Sequence, residues 1–234
     1  MTDDIVDRIA GTSPALAALR ERRPQTRAQL QASYQALFHP VSTAHVDSAE
    51  RVLVAAFATR LTATDRTSAF YAERALDADP QRARLVIDEA VRTAGAGPFG
   101  SYIERGLQGE NTDGIRFTVD PALADAIGER LAAALAHTHL LVYRPREAGA
   151  DDLERLLDAG WDEDGIVTLS QLISFLAFQQ RVIAGLRVLD AAGVAGGAGV
   201  AGAAADDGVG EDAVRAGNRS DADVSSADAE EVAA

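Results

Sequence analysis

Apolar residues recur along this chain at intervals of three and four, and strict alternation is confined to one short stretch. That period predicts amphipathic helices rather than strands. Residues 3–10 and 14–22 read as two short helices. Pro24 opens a third, since its missing N–H costs nothing at a first helical position, and Leu30, Tyr34, Leu37 and Phe38 form its apolar side. Asp47 followed by Glu50 is a capping-box pattern leading into "RVLVAAFATRL". Thr64 reads as the next N-cap, with Asp65 favourable in the first turn and Thr67, Phe70 and Tyr71 pointing inward or to an interface. Asp79-Pro80 starts a helix that runs to about Thr93.

The middle of the chain is less regular. "GAGPFG" and "GENTDG" are loops around a short helix, and "IRFTV" is the one alternating stretch, a strand with no sheet to join. Asp120-Pro121 then predicts one long helix with Leu123, Ile127, Leu131, Leu135 and Val142 on its apolar face. Asp151 with Glu154 suggests a further capping box, with Leu153, Leu156 and Leu157 facing inward and Gly160 as C-cap. Asp162 caps a final helix to about Leu189, whose apolar residues occupy most of its circumference and predict a central, buried position. The expected fold is an all-α single domain.

From Ala191 the composition changes to alanine, glycine and aspartate, with no bulky apolar residue beyond valine. Such a segment cannot repay the entropy of ordering, so 191–234 is expected to be a disordered acidic tail. Net charge is −14, half of it in this tail, where nine acids face two arginines. An acidic chain of this kind is not expected to bind nucleic acid or an anionic membrane.

The chain has no cysteine, which removes thiol nucleophiles, thiol peroxidase chemistry, Cys-ligated zinc and iron–sulfur clusters. Lysine is absent too, so Schiff-base chemistry and a P-loop lysine are excluded. The N-terminus "MTDDIVDRIAG" lacks the basic and apolar regions of a signal peptide. "GIVTLSQLISFLAF" is interrupted by polar residues and followed by Gln179, Gln180 and Arg181, which reads as too short and too polar to span a bilayer. A soluble cytoplasmic protein is expected.

His137 and His139 are two apart, so on a helix they diverge by about 200° and cannot chelate one metal. One of them is expected to be a buried, hydrogen-bonded histidine. His39 and His45 flank a proline-containing loop with no acidic partner at a diagnostic spacing, and read as surface residues. Gln171, Gln179 and Arg181 are polar residues on the most apolar helix and need partners if buried, Arg181 being the best anchor for an anion. No G-x-G-x-x-G after a strand, G-x-S-x-G, H-E-x-x-H or EF-hand loop occurs, and no metal site or cofactor is expected.

Thr64, Thr67 and Tyr71 are spaced by three and then four. With "AERVLVAAFATRLTATDRTSAFYAERAL", "HLLVYRP" and "DDLERLLDAGWDEDGIVTLSQLISFLAFQQRVIAGLRVL", that spacing resembles the alkylhydroperoxidase D / carboxymuconolactone decarboxylase-like (CMD-domain) superfamily. The resemblance spans roughly residues 45–190, which makes 1–44 a helical extension packed on an alkylhydroperoxidase D-like domain. Catalytic members carry C-x-x-C-x-x-x-H and an upstream glutamate. The cysteines fall on Thr64 and Thr67, the histidine on Tyr71 and the glutamate on Val52, so all four depart. Glu50, two residues from Val52, faces elsewhere on a helix and does not replace the acid.

A threonine hydroxyl has neither the acidity nor the redox chemistry of a thiolate, so peroxidase activity is not expected. What the resemblance implies is a non-catalytic structural or regulatory partner, in a homo-oligomer or a complex with a Cys-bearing paralogue. The alternative it implies is a cofactor-free acid–base enzyme of the decarboxylase type, with Tyr71, His137 and Arg181 as pocket residues. Close packing around Thr64, Thr67 and Tyr71 favours the first, and a polar cavity there the second.

Overall fold

Most helices begin where a side chain can satisfy their free N–H groups. A computed structural model describes residues 4–193. Beyond its first three residues, the expected acidic tail lies outside the described residues. The helices are α1 (Ile5–Ala10), α2 (Pro14–Glu21), α3 (Pro24–Phe38), α4 (Ser48–Thr62), α5 (Arg66–Ala78), α6 (Pro80–Thr93), α7 (Pro121–Ile127), α8 (Glu129–Tyr143), α9 (Ala150–Asp158) and α10 (Glu163–Ala191). Short 3-10 turns occupy Arg105–Glu110 and Pro145–Glu147. The fold is all-α with one hydrophobic core.

α4 is the central helix. Its run Leu53–Thr59 is buried at every position, and it packs against α5, α6, α8 and α10. Alanines at 55, 56 and 58 let neighbouring helices approach closely on all sides. The Asp47–Glu50 capping box forms as predicted, Asp47 Oδ1 accepting from the Glu50 N–H at 2.7 Å and Glu50 Oε2 from the Asp47 N–H at 3.0 Å. Ile5, Val6 and Ile9 of α1 join the same core as Leu53, Leu135 and Leu172. Asp4 and Asp7 hold Arg20 and Arg27 across α1, α2 and α3.

α10 packs against α1, α2, α3, α4, α8 and α9, but it is not buried around its whole circumference as its composition suggested. Val167, Phe178 and Val188 are 55%, 51% and 68% exposed, while Leu169, Leu172, Ile173, Leu176 and Ile183 are buried. Apolar residues all round a helix permit burial but do not require it, and here one side is uncovered. At 29 residues, α10 is also long and apolar enough to cross a bilayer by length and composition, contrary to the sequence reading. Its inner face is instead packed against other helices of the core.

Five further expectations change. Gly128, at φ +89° and ψ +144°, splits the predicted helix from Pro121 into α7 and α8, a backbone state L side chains rarely adopt. α9 starts earlier than predicted, with Gly149 rather than Asp151 at the N-cap and Asp152 rather than Glu154 bonding back to the cap N–H, at 2.9 Å. Leu156 is buried, but Leu153 and Leu157 are 43% and 42% exposed, because only one leucine per turn reaches the core. α5 is capped by Asp65, whose Oδ1 accepts from the Ser68 N–H at 2.9 Å, and not by Thr64. "IRFTV" forms no strand and runs beside α8, its Phe117 ring packed on Phe57 and His139.

Candidate functional site

The positions where the resemblance places a redox centre are dispersed into core and surface. Thr67 and Tyr71 are fully buried on the inner side of α5, Val52 is partly buried, and Thr64 is exposed before the helix starts. The Thr64 hydroxyl accepts from Arg60. The Tyr71 ring packs against Phe38 and Phe70, each with centroids 5.1 Å apart. Its hydroxyl donates to Gln179 Oε1 at 2.7 Å, and burial holds its pKa well above the ordinary tyrosine range. Thr67 Oγ1 and Gln179 Nε2 are buried without a partner. Neighbouring Gln180 ties α10 to α4, donating to Thr59 O and accepting from Thr62 at 2.5 Å. This is interlocked packing between α4, α5 and α10.

Glu50 does not turn toward Val52. It is buried and receives Arg130 Nε at 2.7 Å, while Arg130 also donates to the His45 carbonyl at 2.6 Å and to the Gly160 carbonyl. The same guanidinium lies 3.9 Å from the Trp161 ring centroid, and the Trp161 indole donates to Arg130 O at 2.9 Å. The "AGW" segment is thus a structural clasp: Gly160 takes φ +88°, and Trp161 N–H closes on Leu156 O. His45, with no acidic partner at a diagnostic spacing, finds one far along the chain. Its Nδ1 is 2.7 Å from Asp162 Oδ2, and that hydrogen bond raises its pKa. No local spacing could reveal a partner so distant in sequence.

A cleft of about 800 Å³ opens between α8 and α9, beside the 115–119 segment. Ala132, Ala133 and Ala136 form its floor, with Phe117, Leu140 and Leu156 around it. Both helical histidines line it. His139 stacks on Phe117 with centroids 4.7 Å apart, and His137 Nε2 lies 3.2 Å from Ser170 Oγ. Burial pushes both imidazoles below their ordinary pKa, so both are neutral near pH 7. One ring faces α10 and the other Phe117, so they diverge as their spacing requires. Sequence reading took Leu131 and Leu135 as the informative positions of α8. The alanines beside them, which create the space, carry no signal of their own.

Tyr71, His137 and Arg181 are not brought together. Tyr71 meets α10 at Gln179 and His137 meets it at Ser170, about 13 Å apart along the helix axis. Arg181 is exposed and donates to Ala177 O of its own helix at 3.3 Å. No group of three or more metal-ligating side chains occurs among the described residues. Compared with known protein families, curated proteins and solved structures, the chain matches none.

Proposed function

We propose that this protein is a non-catalytic member of the alkylhydroperoxidase D / carboxymuconolactone decarboxylase-like type, acting as a structural or regulatory subunit in a homo- or hetero-oligomer. The observation that carries the reading is the Tyr71–Gln179 bond inside close packing at the former redox position. A site that kept another chemistry would keep an opening there. Val167, Phe178 and Val188 on the open side of α10 offer an apolar face to a second subunit. The acid–base alternative needs Tyr71, His137 and Arg181 to converge, and their separation along α10 weighs against it.

Native mass spectrometry tests the proposal. An oligomer is expected alone, or on mixing with a paralogue carrying C-x-x-C-x-x-x-H, and Phe178→Asp should weaken it. A monomer under both conditions overturns the assembly. An assay with cumene hydroperoxide and a dithiol reductant should give no turnover above buffer. Protein-dependent turnover overturns the non-catalytic assignment.

A further inference from the structure

Protein interiors are packed to the density of organic crystals, so an unfilled apolar cleft needs a cause. Here the cause is three alanines, Ala132, Ala133 and Ala136, where larger residues on α8 would have closed the gap to α9. Its volume, about 800 Å³, is within the range of small-molecule sites. Every arginine in the lining is paired, Arg155 with Asp152 and both Arg144 and Arg116 with Glu147, whereas the lining acids Glu129 and Asp158 have no ion-pair partner among the described residues. An anionic ligand would have to displace one of these paired carboxylates.

One polar group in the lining has nothing to bind. His137 is 5% exposed and its Nδ1 has no hydrogen-bond partner. The other ring nitrogen, Nε2, lies 3.2 Å from Ser170 Oγ, a hydroxyl that can donate or accept there. With Ser170 as the donor, the proton of the neutral ring sits on Nδ1, a buried donor awaiting an acceptor. Buried donors are nearly always paired, and an exception beside a cavity points to what the cavity holds.

We propose that the α8–α9 cleft binds an uncharged, largely apolar carbonyl compound of about bicyclic size, its oxygen accepting from His137 Nδ1 and its ring lying on the alanine floor. Nδ1 is itself covered, so the oxygen reaches it only when the His137 side chain or its cover moves aside. The proposal is independent of subunit assembly, because it rests on α8 and α9 and not on the open side of α10.

Coumarin, an uncharged bicyclic lactone, is the probe, with 2-naphthoate as a charged comparison of similar size. Calorimetric titration of the full chain should give saturable binding of coumarin below about 1 mM, and weaker binding of 2-naphthoate. The His137 Nδ1 resonance, followed in ¹⁵N-labelled protein, should shift on saturation. His137→Gln places an amide near Nε2, keeps a partner for Ser170 and removes the Nδ1 donor, so it should weaken coumarin by about tenfold or more. Ala136→Phe should abolish binding while the helical circular dichroism is unchanged. Absence of saturable coumarin binding, tighter binding of 2-naphthoate, or an unshifted His137 resonance at saturation would overturn the proposal. The resonance reads the wild-type protein, so the outcome does not depend on either variant folding.

Discussion

Tyr71 and Gln179, far apart in sequence, meet through a single buried hydrogen bond of 2.7 Å that joins α5 to α10. The tyrosine serves there as a strut between the two helices. Tyr71→Phe keeps the ring packing on Phe38 and strands the glutamine oxygen. We expect it to cost about 1–3 kcal/mol in urea unfolding, the penalty for an unpaired buried polar group. A neutral result would mean that the bond contributes nothing and that Gln179 is satisfied otherwise.

Thr64 is exposed and Thr67 is fully buried, although they are three positions apart in sequence. In the cysteine-free background, single Thr64→Cys and Thr67→Cys variants read this difference directly. The thiol at 64 should react with a disulfide reagent within the mixing time. The thiol at 67 should react at least about a hundredfold more slowly, since it needs local opening. Equal rates would mean that an accessible pocket survives there.

His137 and His139 have pKa values lowered by burial, from an ordinary 6.5. The unfolded chain therefore binds protons at a higher pH than the folded one. The contribution of these two histidines to stability should be flat above about pH 7 and fall as pH drops through 6.5 toward the lower folded values. His137→Gln should flatten part of that slope in denaturant titrations between pH 5 and 7. An unchanged slope would show that His137 protonates equally in both states.

Glu147 accepts from Arg144 Nε at 2.7 Å and from the Ser101 N–H at 3.1 Å, and pairs with Arg116. The Arg144 hydrogen bond leads in holding its carboxyl at about 2, against an ordinary 4.5. Its contribution is complete above 4.5 and is lost as pH falls toward 2. Glu147→Gln should cost about 1–3 kcal/mol at neutral pH, because it leaves the buried Arg144 charge without its partner. The difference from wild type should shrink as pH falls from 4.5 toward about 2, where the carboxyl is half protonated. A constant difference across that range would assign the effect to packing instead of charge.

The amino-acid sequence alone determined the helical class and many of the element starts, because caps and period are local. Pro24, the Asp47–Glu50 box, Asp79-Pro80 and Asp162 all act within a few residues of themselves. It also excluded thiol chemistry outright, since a missing atom type cannot be restored by folding. Tertiary structure decided what local pattern leaves open. Gly128 could sit inside a helix or break one, and α10 could be covered all round or open on one side, since both depend on which neighbours pack there. The partners of His45, Tyr71 and Arg130 come from distant segments, invisible to any spacing rule. The cleft beside His137 arises from what alanines leave empty, and a space between helices exists only once the helices have been placed.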